Sequence, residues 1–332
     1  MLENRFRQET ENLKKSWMRY DRNTLGNYLV QDVEDPRINV QSILTRHFLI
    51  SRLFGKGFEY LMEQELRFGL VMNWLLRLIK QPVRADQLHT VLDALLVGED
   101  KADGLEIPPY ISETFASLLL PNYMCDLLSW VPVETTDVPI PEYLMSTFQM
   151  IWREVLAGEQ IQCISVLEPA CGSANDYRFI EAFGIANLID YMGIDLCEKN
   201  IRNARWMFPD ACFEVGNVLE INAGDGAFEY CFVHDLFEHL SIEATEAAIE
   251  ETCRVTRKEI CAGFFNMHDC EQHIIRTVGD YHWNNLSMAE TKAIFERHAS
   301  SVQIIHIDAF LASKFGCRDT HNKGAYTLIV RL

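Results

Sequence analysis

Hydrophobic residues follow two different patterns along the chain, and the change falls near residue 155. Before it, apolar residues recur every three or four positions, as in the runs from Ile43 to Leu53 and from Phe58 to Leu66, which is the spacing of one buried helix face. After it, short apolar runs alternate with amphipathic stretches. The pattern predicts a helical N-terminal half and a C-terminal half of alternating strands and helices.

The predicted elements of the C-terminal half form a doubly wound α/β sheet. Strands are predicted near 162–168, 191–195, 212–217, 228–235, 258–266, 301–308 and 325–332. Helices are predicted near 175–183, 198–207, 242–256 and 287–298. In the N-terminal half we expect helices over 86–97 and 111–129, an apolar helix over 70–79 that stops at Pro82, and a loop over 131–141.

The first predicted strand leads into a turn of small residues. An apolar run ends in Glu168, the turn Ala170–Ala174 follows, and a predicted helix comes next. Such a loop lets a ligand approach the backbone closely. A phosphate-binding Walker loop is excluded because Gly-Lys-Ser/Thr is absent, and a dinucleotide loop has glycine where Ala170 and Ala174 stand. An ordinary strand–helix turn remains the alternative at this point.

Polar residues end the next three predicted strands as well. Asp195 follows Gly172 by 23 positions, close to the offset of about 20 residues at which a βαβ unit places a carboxylate on ribose hydroxyls. A carboxylate suits a diol because it accepts two hydrogen bonds. Asn217 and Asp235 end the third and fourth strands. We therefore expect a ligand site at the carboxyl edge of the sheet.

These four strand-and-polar-residue units resemble class I S-adenosylmethionine (SAM)-dependent methyltransferases over residues 160–332. The resemblance implies a Rossmann-like, seven-stranded domain over 156–332, with an antiparallel last hairpin, and a helical domain over 1–155 that caps the site and forms a homodimer. The alternative is that the helical domain only covers one edge of the sheet. It also implies that Asn217 lies beside the adenine amino group. The residues expected at the cofactor are Glu168, Ala170, Gly172, Asp195, Leu196, Asn217, Val218 and His234.

Five of the ten histidines fall between His234 and His282. Two imidazoles and a carboxylate on one side of a metal leave coordination positions open for a chelating substrate. Here the chain resembles the metal-dependent 2-oxo-acid C-methyltransferases of peptide natural-product pathways. That resemblance implies His234, Asp235 and His282 as ligands of iron or zinc, with His268 or His273 as alternatives to His282.

A second metal motif is present in the same region. Asp235-x-x-Glu238-His239 resembles the acidic motif of magnesium-assisted O-methyltransferases. The same residues also occur in metal-free methyltransferases, in which Glu238 and His239 only begin the next helix.

The resemblance implies methyl transfer to the β-carbon, C3, of a 2-oxo acid through a metal-stabilised enolate. His239, His273 and a metal-bound hydroxide are the candidate proton acceptors, and Arg46 or Arg52 is a candidate clamp for the substrate carboxylate. The acidic composition favours 5-guanidino-2-oxopentanoate over phenylpyruvate. Two rival functions remain: a metal-free or magnesium-assisted O- or N-methyltransferase of a small molecule, and a non-catalytic partner subunit with the SAM fold.

Composition narrows the class of protein. The 332 residues favour two domains. The net charge of −18 argues against nucleic acid and anionic membrane as partners. The ten cysteines form no C-x-x-C pair, which is typical of reduced thiols. Without an apolar run long enough for a membrane span, or signal-peptide character at the N-terminus, we expect a cytoplasmic protein.

Overall fold

The computed structural model describes residues 35–78, 85–119, 144–279, 281–318 and 322–332, together with 7–8, 10–11 and 320. The predicted helix over 111–129 is described only in its first part, where a helix spans Pro109–Ala116. The predicted stop at Pro82 and the predicted loop over 131–141 lie outside the described residues.

A seven-stranded sheet organises the C-terminal half. Its strands are β1 (Ile164–Pro169), β2 (Ile189–Asp195), β3 (Cys212–Val215), β4 (Phe228–His234), β5 (Thr256–Phe264), β6 (Ser301–His306) and β7 (Tyr326–Arg331). Their order across the sheet is β6-β7-β5-β4-β1-β2-β3. Strand β7 is antiparallel to both neighbours, and the other pairs are parallel. The predicted Rossmann-like fold, with seven strands and an antiparallel last hairpin, is confirmed.

Helices cover the sheet, and further helices make up the N-terminal half of the chain. They are α1 (Val40–Phe54), α2 (Glu59–Leu78), α3 (Ala85–Val97), α4 (Pro109–Ala116), α5 (Thr147–Leu156), α6 (Asn175–Ala182), α7 (Glu198–Met207), α8 (Ile242–Val255), α9 (Met288–Glu296) and α10 (Ile307–Phe315). Short pairs of two-residue strands lie between them, including the hairpin Thr277–Val278 with Tyr281–His282. Within the described residues, no helix combines the length and the hydrophobicity that a membrane span requires.

The central strands are apolar on both faces because helices cover both faces. In β5, Ile260, Cys261 and Ala262 are consecutive and fully buried. Strand β1 lies between β2 and β4. Strands β2 and β3 therefore extend the sheet on one side of β1, and β4 begins the part of the sheet on its other side. Such a switch point opens a crevice at the carboxyl ends of the strands.

The N-terminal helices share their core with the sheet. One apolar cluster joins Leu49 of α1 and Trp152 of α5 to Ile180 of α6 and Tyr191 of β2. The division of the chain into two domains between residues 155 and 156 therefore remains a prediction. The apolar packing continues across that boundary.

Helix α1 lies along β5 and runs towards the opposite end of the sheet. At its start, the Gln41 amide donates to the carbonyls of Phe264 and Tyr326, at 3.1 and 2.8 Å. At its end, Arg52 Nε donates to Glu259 Oε2 at 2.6 Å. These contacts place the N-terminus of α1 at the carboxyl edge of the sheet.

Candidate functional site

A cavity of about 270 Å³ opens at the carboxyl ends of β1, β2 and β4. All eight residues expected at the cofactor line it, and so do Asp235 and His239. The first turn of α1 adds Asn39, Gln41 and Ser42 to the wall. The structure therefore brings the strand-end residues together with a part of the helical half.

The loop after β1 has an unusual backbone. Ala170, Gly172 and Ala174 adopt positive φ angles of 56°, 55° and 64°, a region that residues with a side chain rarely occupy. Main-chain hydrogen bonds hold the loop against β2, since Cys171 N donates to Ile194 O at 3.0 Å. Strained backbone of this kind is found at ligand sites.

Asp195 is fixed by three donors at the end of β2. Gly172 N donates to its Oδ2 at 3.0 Å, and Cys197 N and Asn200 Nδ2 donate to its Oδ1 at 2.8 and 3.2 Å. Burial raises the pKa of Asp195, and these donors act in the opposite direction. Its carboxylate is therefore oriented before any ligand arrives, as a ribose-binding group requires.

Glu168 and Asn217 contribute polar groups on either side of Asp195. Glu168 is buried and accepts a hydrogen bond from the Tyr191 hydroxyl. Burial, together with the nearby charge of Asp176, raises the pKa of Glu168 well above its ordinary value. Asn217 Oδ1 accepts from Leu219 N at 3.0 Å, so its amide nitrogen is the group left for a ligand. This nitrogen can donate to a ring nitrogen of a purine but not to the adenine amino group, which is itself a donor.

His234 is held between two elements at the end of β4. Its Nδ1 lies 2.9 Å from Asp176 Oδ2, and its Nε2 lies 2.9 Å from Thr45 Oγ1 of α1. Burial alone lowers the pKa of His234, but the Asp176 carboxylate outweighs burial, and the pKa is raised well above its ordinary value. His234 is therefore an imidazolium paired with Asp176.

His239 forms a second pair of the same kind with Asp235. Its Nε2 lies 3.1 Å from Asp235 Oδ1, and its Nδ1 lies 3.2 Å from the carbonyl oxygen of His282. Both neighbours are acceptors, so both ring nitrogens carry protons. Burial lowers the pKa of His239, but Asp235 and then Glu238 raise it to about 9. His239, a predicted proton acceptor, is therefore a cation in this arrangement.

Asp235 is better placed than His239 to accept a proton. Its side chain is 49% exposed, it lines the cavity, and its φ of 50° is in the left-handed region. Such a φ in a residue other than glycine costs about 1–3 kcal/mol and persists where the surroundings impose it.

The three predicted metal ligands do not fit a metal. Both nitrogens of His234 already face Asp176 and Thr45. The Nδ1 of His282 is buried and has no hydrogen-bond partner among the described residues, and the residue meets His239 through its carbonyl instead. Over the described ranges, no three His, Cys, Asp or Glu side chains are grouped to hold a metal ion. We therefore derive no step through a metal.

The other predicted residues lie away from the chemistry. His273 Nδ1 accepts from Ser287 N at 2.9 Å and its Nε2 faces Glu290, so it supports the start of α9. His268 accepts from Cys270 N at 3.1 Å. Neither histidine lines the cavity, which removes His273 from the candidate proton acceptors.

The two candidate carboxylate clamps are engaged elsewhere. Arg46 is fully buried and pairs with Glu65 at 2.8 Å, and Arg52 pairs with Glu259. The clamp prediction was wrong because helical spacing does not tell which buried acid an arginine meets.

Sequence analysis missed the contributions of α1 and Asp176 to the cavity. Asp176 was available as an acid in the first turn after the small-residue loop. Gln41, Ser42 and Thr45 carry no local signal, because only the packing of α1 along β5 brings them to the site.

Comparison with known proteins supports the fold and the cofactor. Residues 166–259 match the family model of a methyltransferase domain. No curated protein sequence matches the chain. A Methanosarcina mazei SAM-dependent methyltransferase is similar, with 12% identity, a TM-score of 0.40, and coverage of 53% of this chain and 96% of that one.

Two further solved structures are similar at the same level. A Mesorhizobium loti SAM-dependent methyltransferase has 10% identity and a TM-score of 0.40, with 55% and 96% of the two chains covered. The 1,6-didemethyltoxoflavin-N1-methyltransferase of Burkholderia thailandensis has 12% identity and a TM-score of 0.38, with 57% and 80% covered. Likeness at this level carries no information on the substrate.

The strand order and the loop after β1 are typical of a SAM site. The methyltransferase-domain match indicates the same cofactor, with methyl transfer as the class of reaction. Residues 166–259 belong to a methyltransferase domain, and the chain carries the class I fold of SAM-dependent methyltransferases.

Proposed function

We propose that the chain transfers the methyl group of SAM to C3 of a 2-oxo acid, with the Asp235–His239 pair managing the proton. The observation that carries the proposal is this pair. A half-exposed carboxylate lies in the cavity wall with a buried cation 3.1 Å behind it. Enolisation of a 2-oxo acid needs these two groups, a proton acceptor and a nearby positive charge.

The proposed reaction has two steps. Asp235 takes the C3 proton, and the electron pair of the C–H bond forms the enolate. The carbon then attacks the sulfonium methyl group of SAM, so a C–C bond forms, the S–CH₃ bond breaks and S-adenosylhomocysteine leaves. His239 offsets the negative charge that develops on the acceptor. Carbon and methyl must be held within about 3–3.5 Å.

The proposal also includes finer predictions from the sequence. The first acceptor to test is 5-guanidino-2-oxopentanoate, because the chain is acidic. The protein acts in the cytoplasm as a homodimer, without nucleic acid or membrane. Iron or zinc dependence, which the arrangement of His234, Asp235 and His282 does not support, is tested by activity after complete metal removal.

A panel of 2-oxo acids with labelled SAM tests the proposal, and NMR of the product locates the new methyl group. We expect the label on C3 and retention of the 2-oxo group. With S-adenosylhomocysteine in place of SAM, the enzyme should exchange the C3 protons of the substrate with deuterium in heavy water. Label on oxygen or nitrogen would instead establish the rival O- or N-methyltransferase.

Substitution of the proton acceptor gives a second test. Asp235→Asn removes the base while keeping the side-chain shape, and we expect kcat to fall by about 10²–10⁴-fold. SAM affinity should stay within a factor of two or so, because the carboxylate acts on the acceptor. His273→Ala is the matched control, since His273 lies outside the cavity. An Asp235→Asn enzyme with normal kcat would refute the proposed role.

A further inference from the structure

We infer that the N-terminal end of α1 binds the carboxylate of the methyl acceptor, with the Ser42 hydroxyl as the donor. The inference rests on the proposed function, because it names how a 2-oxo acid is held in the cavity. Nothing in the sequence pattern indicated this site, and the arginines first considered for the task are paired with Glu65 and Glu259.

Charge in the cavity limits where an anion can bind. The wall carries the acids Asp176, Asp195 and Asp235, which suit the positive sulfonium and ammonium groups of SAM. The histidines of the wall, His234 and His239, are each paired with one of these acids. A substrate carboxylate therefore needs a separate source of positive potential.

Helix α1 supplies that potential at the right edge of the sheet. It is 15 residues long, and its N-terminal end lines the cavity through Asn39, Gln41 and Ser42. A helix N-terminus carries a partial positive charge and favours anions. Gln41 fixes this end against Phe264 and Tyr326, beside the ends of β5 and β7.

Ser42 is the donor that remains. Its residue is 7% exposed and lines the cavity. Its backbone N–H donates to the Asn39 side chain, whereas its hydroxyl has no hydrogen-bond partner in the part of the chain that the structure describes. Gln41 cannot take this part because its amide nitrogen is spent on two carbonyls. A hydroxyl that faces the cavity without a protein partner keeps its O–H available to donate to a ligand.

The geometry also orients the acceptor. Thr45 lies one turn after Ser42 on the same face of α1 and contacts His234, the residue before Asp235. A carboxylate at Ser42 therefore points the rest of the acceptor along the end of β4 towards Asp235. In this arrangement, α1 holds the carboxylate of the acceptor, and Asp235 at the end of β4 faces the carbon that loses its proton.

Calorimetry on the enzyme loaded with S-adenosylhomocysteine tests the site. The probes are pyruvate and 4-methyl-2-oxopentanoate, and the neutral amide of each. We expect the acids to bind about tenfold more tightly than the amides, and Ser42→Ala to remove most of that difference. Ser51→Ala is the matched control, because this serine lies on the same helix, away from the cavity, and bonds to Phe48 O.

A second variant tests the same site in a protein that is expected to fold. Ser42→Asp places an acid in the first turn of α1, where the helix dipole favours it, so the protein should fold. It should reject the acids and still bind the amides. Equal affinity for acid and amide in the wild type, undetectable binding of both acids, or an equal loss for acid and amide in Ser42→Ala would overturn the inference.

The outcome is separable from that of the proposed function. A Ser42-dependent preference for carboxylates without C3 methylation would keep the site and reject the reaction. C3 methylation with unchanged KM for the 2-oxo acid in Ser42→Ala would keep the reaction and reject the site.

Discussion

Two histidine–carboxylate pairs dominate the chemistry at the residue scale. His234 and Asp235 adjoin in the sequence, yet their side chains serve different pairs, one with Asp176 and one with His239. The sequence marked both positions as functional because they end a strand. It did not identify their partners, since Asp176 and Thr45 come from elements brought together only by packing.

The protonation of His239 gives a pH prediction. Its pKa should be about 9, and Asp235→Ala should lower the pKa by removing the nearest acceptor. Because the folded pKa lies above the unfolded value of about 6.5, the pair stabilises the fold fully below pH 6.5 or so. That contribution is lost as the pH rises through about 9.

NMR titration of the His239 ring measures this pKa directly. His298 is a control on the surface, since it lies at the end of α9, away from the cavity. A His239 that titrates near its ordinary value in the wild type would contradict the imidazolium assignment.

Asp195 carries the prediction for the cofactor. Asp195→Ala removes the group expected to accept both ribose hydroxyls, and a charge-assisted hydrogen bond contributes about 1.5–3 kcal/mol. We expect SAM affinity to fall at least about tenfold, measured by calorimetry on folded protein. Asp190→Ala, in the exposed part of the same strand, should leave the affinity unchanged. Normal affinity in Asp195→Ala would place SAM elsewhere.

At the scale of elements, Asn284 fastens the hairpin 277–282 to the turn that carries His239. Its side chain donates to Leu240 O at 2.7 Å and accepts from Arg276 N at 3.0 Å, and its backbone N–H donates to Glu238 O at 2.9 Å. Sequence periodicity did not predict this hairpin, because strands of two residues are too short to show a pattern. Long elements such as α8 and β5 show one clearly.

Loss of this link should reach the active site. Asn284→Ala removes both side-chain bonds, so we expect the His282 carbonyl to move from His239 and the pKa of His239 to fall. The kcat should fall about tenfold or more while KM for SAM holds, because 1 Å of misplacement is costly in catalysis. Thr252→Val is a control for stability alone, since Thr252 is buried in α8 and its hydroxyl donates to Ala248 O. Equal effects of the two variants on kcat would refute this positioning role.

For the whole molecule, a buried ion cluster ties the N-terminal helices together. Arg46 of α1 pairs with Glu65 of α2, and His47 and Trp152 also contact that carboxylate. Burial acts to raise the pKa of Glu65, but His47 and Arg46 outweigh it and lower the pKa to about 2. The fold of the C-terminal half was predictable from periodicity. The shared core was not, because no local pattern states which helix faces which.

Breaking this cluster should destabilise the whole protein. Glu65→Gln leaves Arg46 buried without its counter-charge, so we expect the free energy of unfolding to fall by about 3–5 kcal/mol. Urea denaturation, followed by one probe in α5 and one in β3, measures the loss.

Glu181→Gln is the matched control, since it breaks an exposed pair with Arg153 and should cost less than about 1 kcal/mol. Separate transitions for the two probes would contradict a single core. The stability due to Glu65 is present above pH 4.5 or so and is lost as the pH falls towards 2.

The continuous packing beneath α1 has a consequence for how the enzyme responds to heat and to new substrates. Helix α1 lines the cavity and is packed into the core, so we expect it to keep its position when a substrate binds. Large acceptors are then excluded by the shape of the cavity rather than by a closing motion. Activity assayed at one fixed temperature after a heating step should then stay constant up to the melting transition and be lost with it. Accepting larger substrates would require truncation of side chains in that wall. Each truncation should lower the melting temperature, because it leaves a cavity in the core.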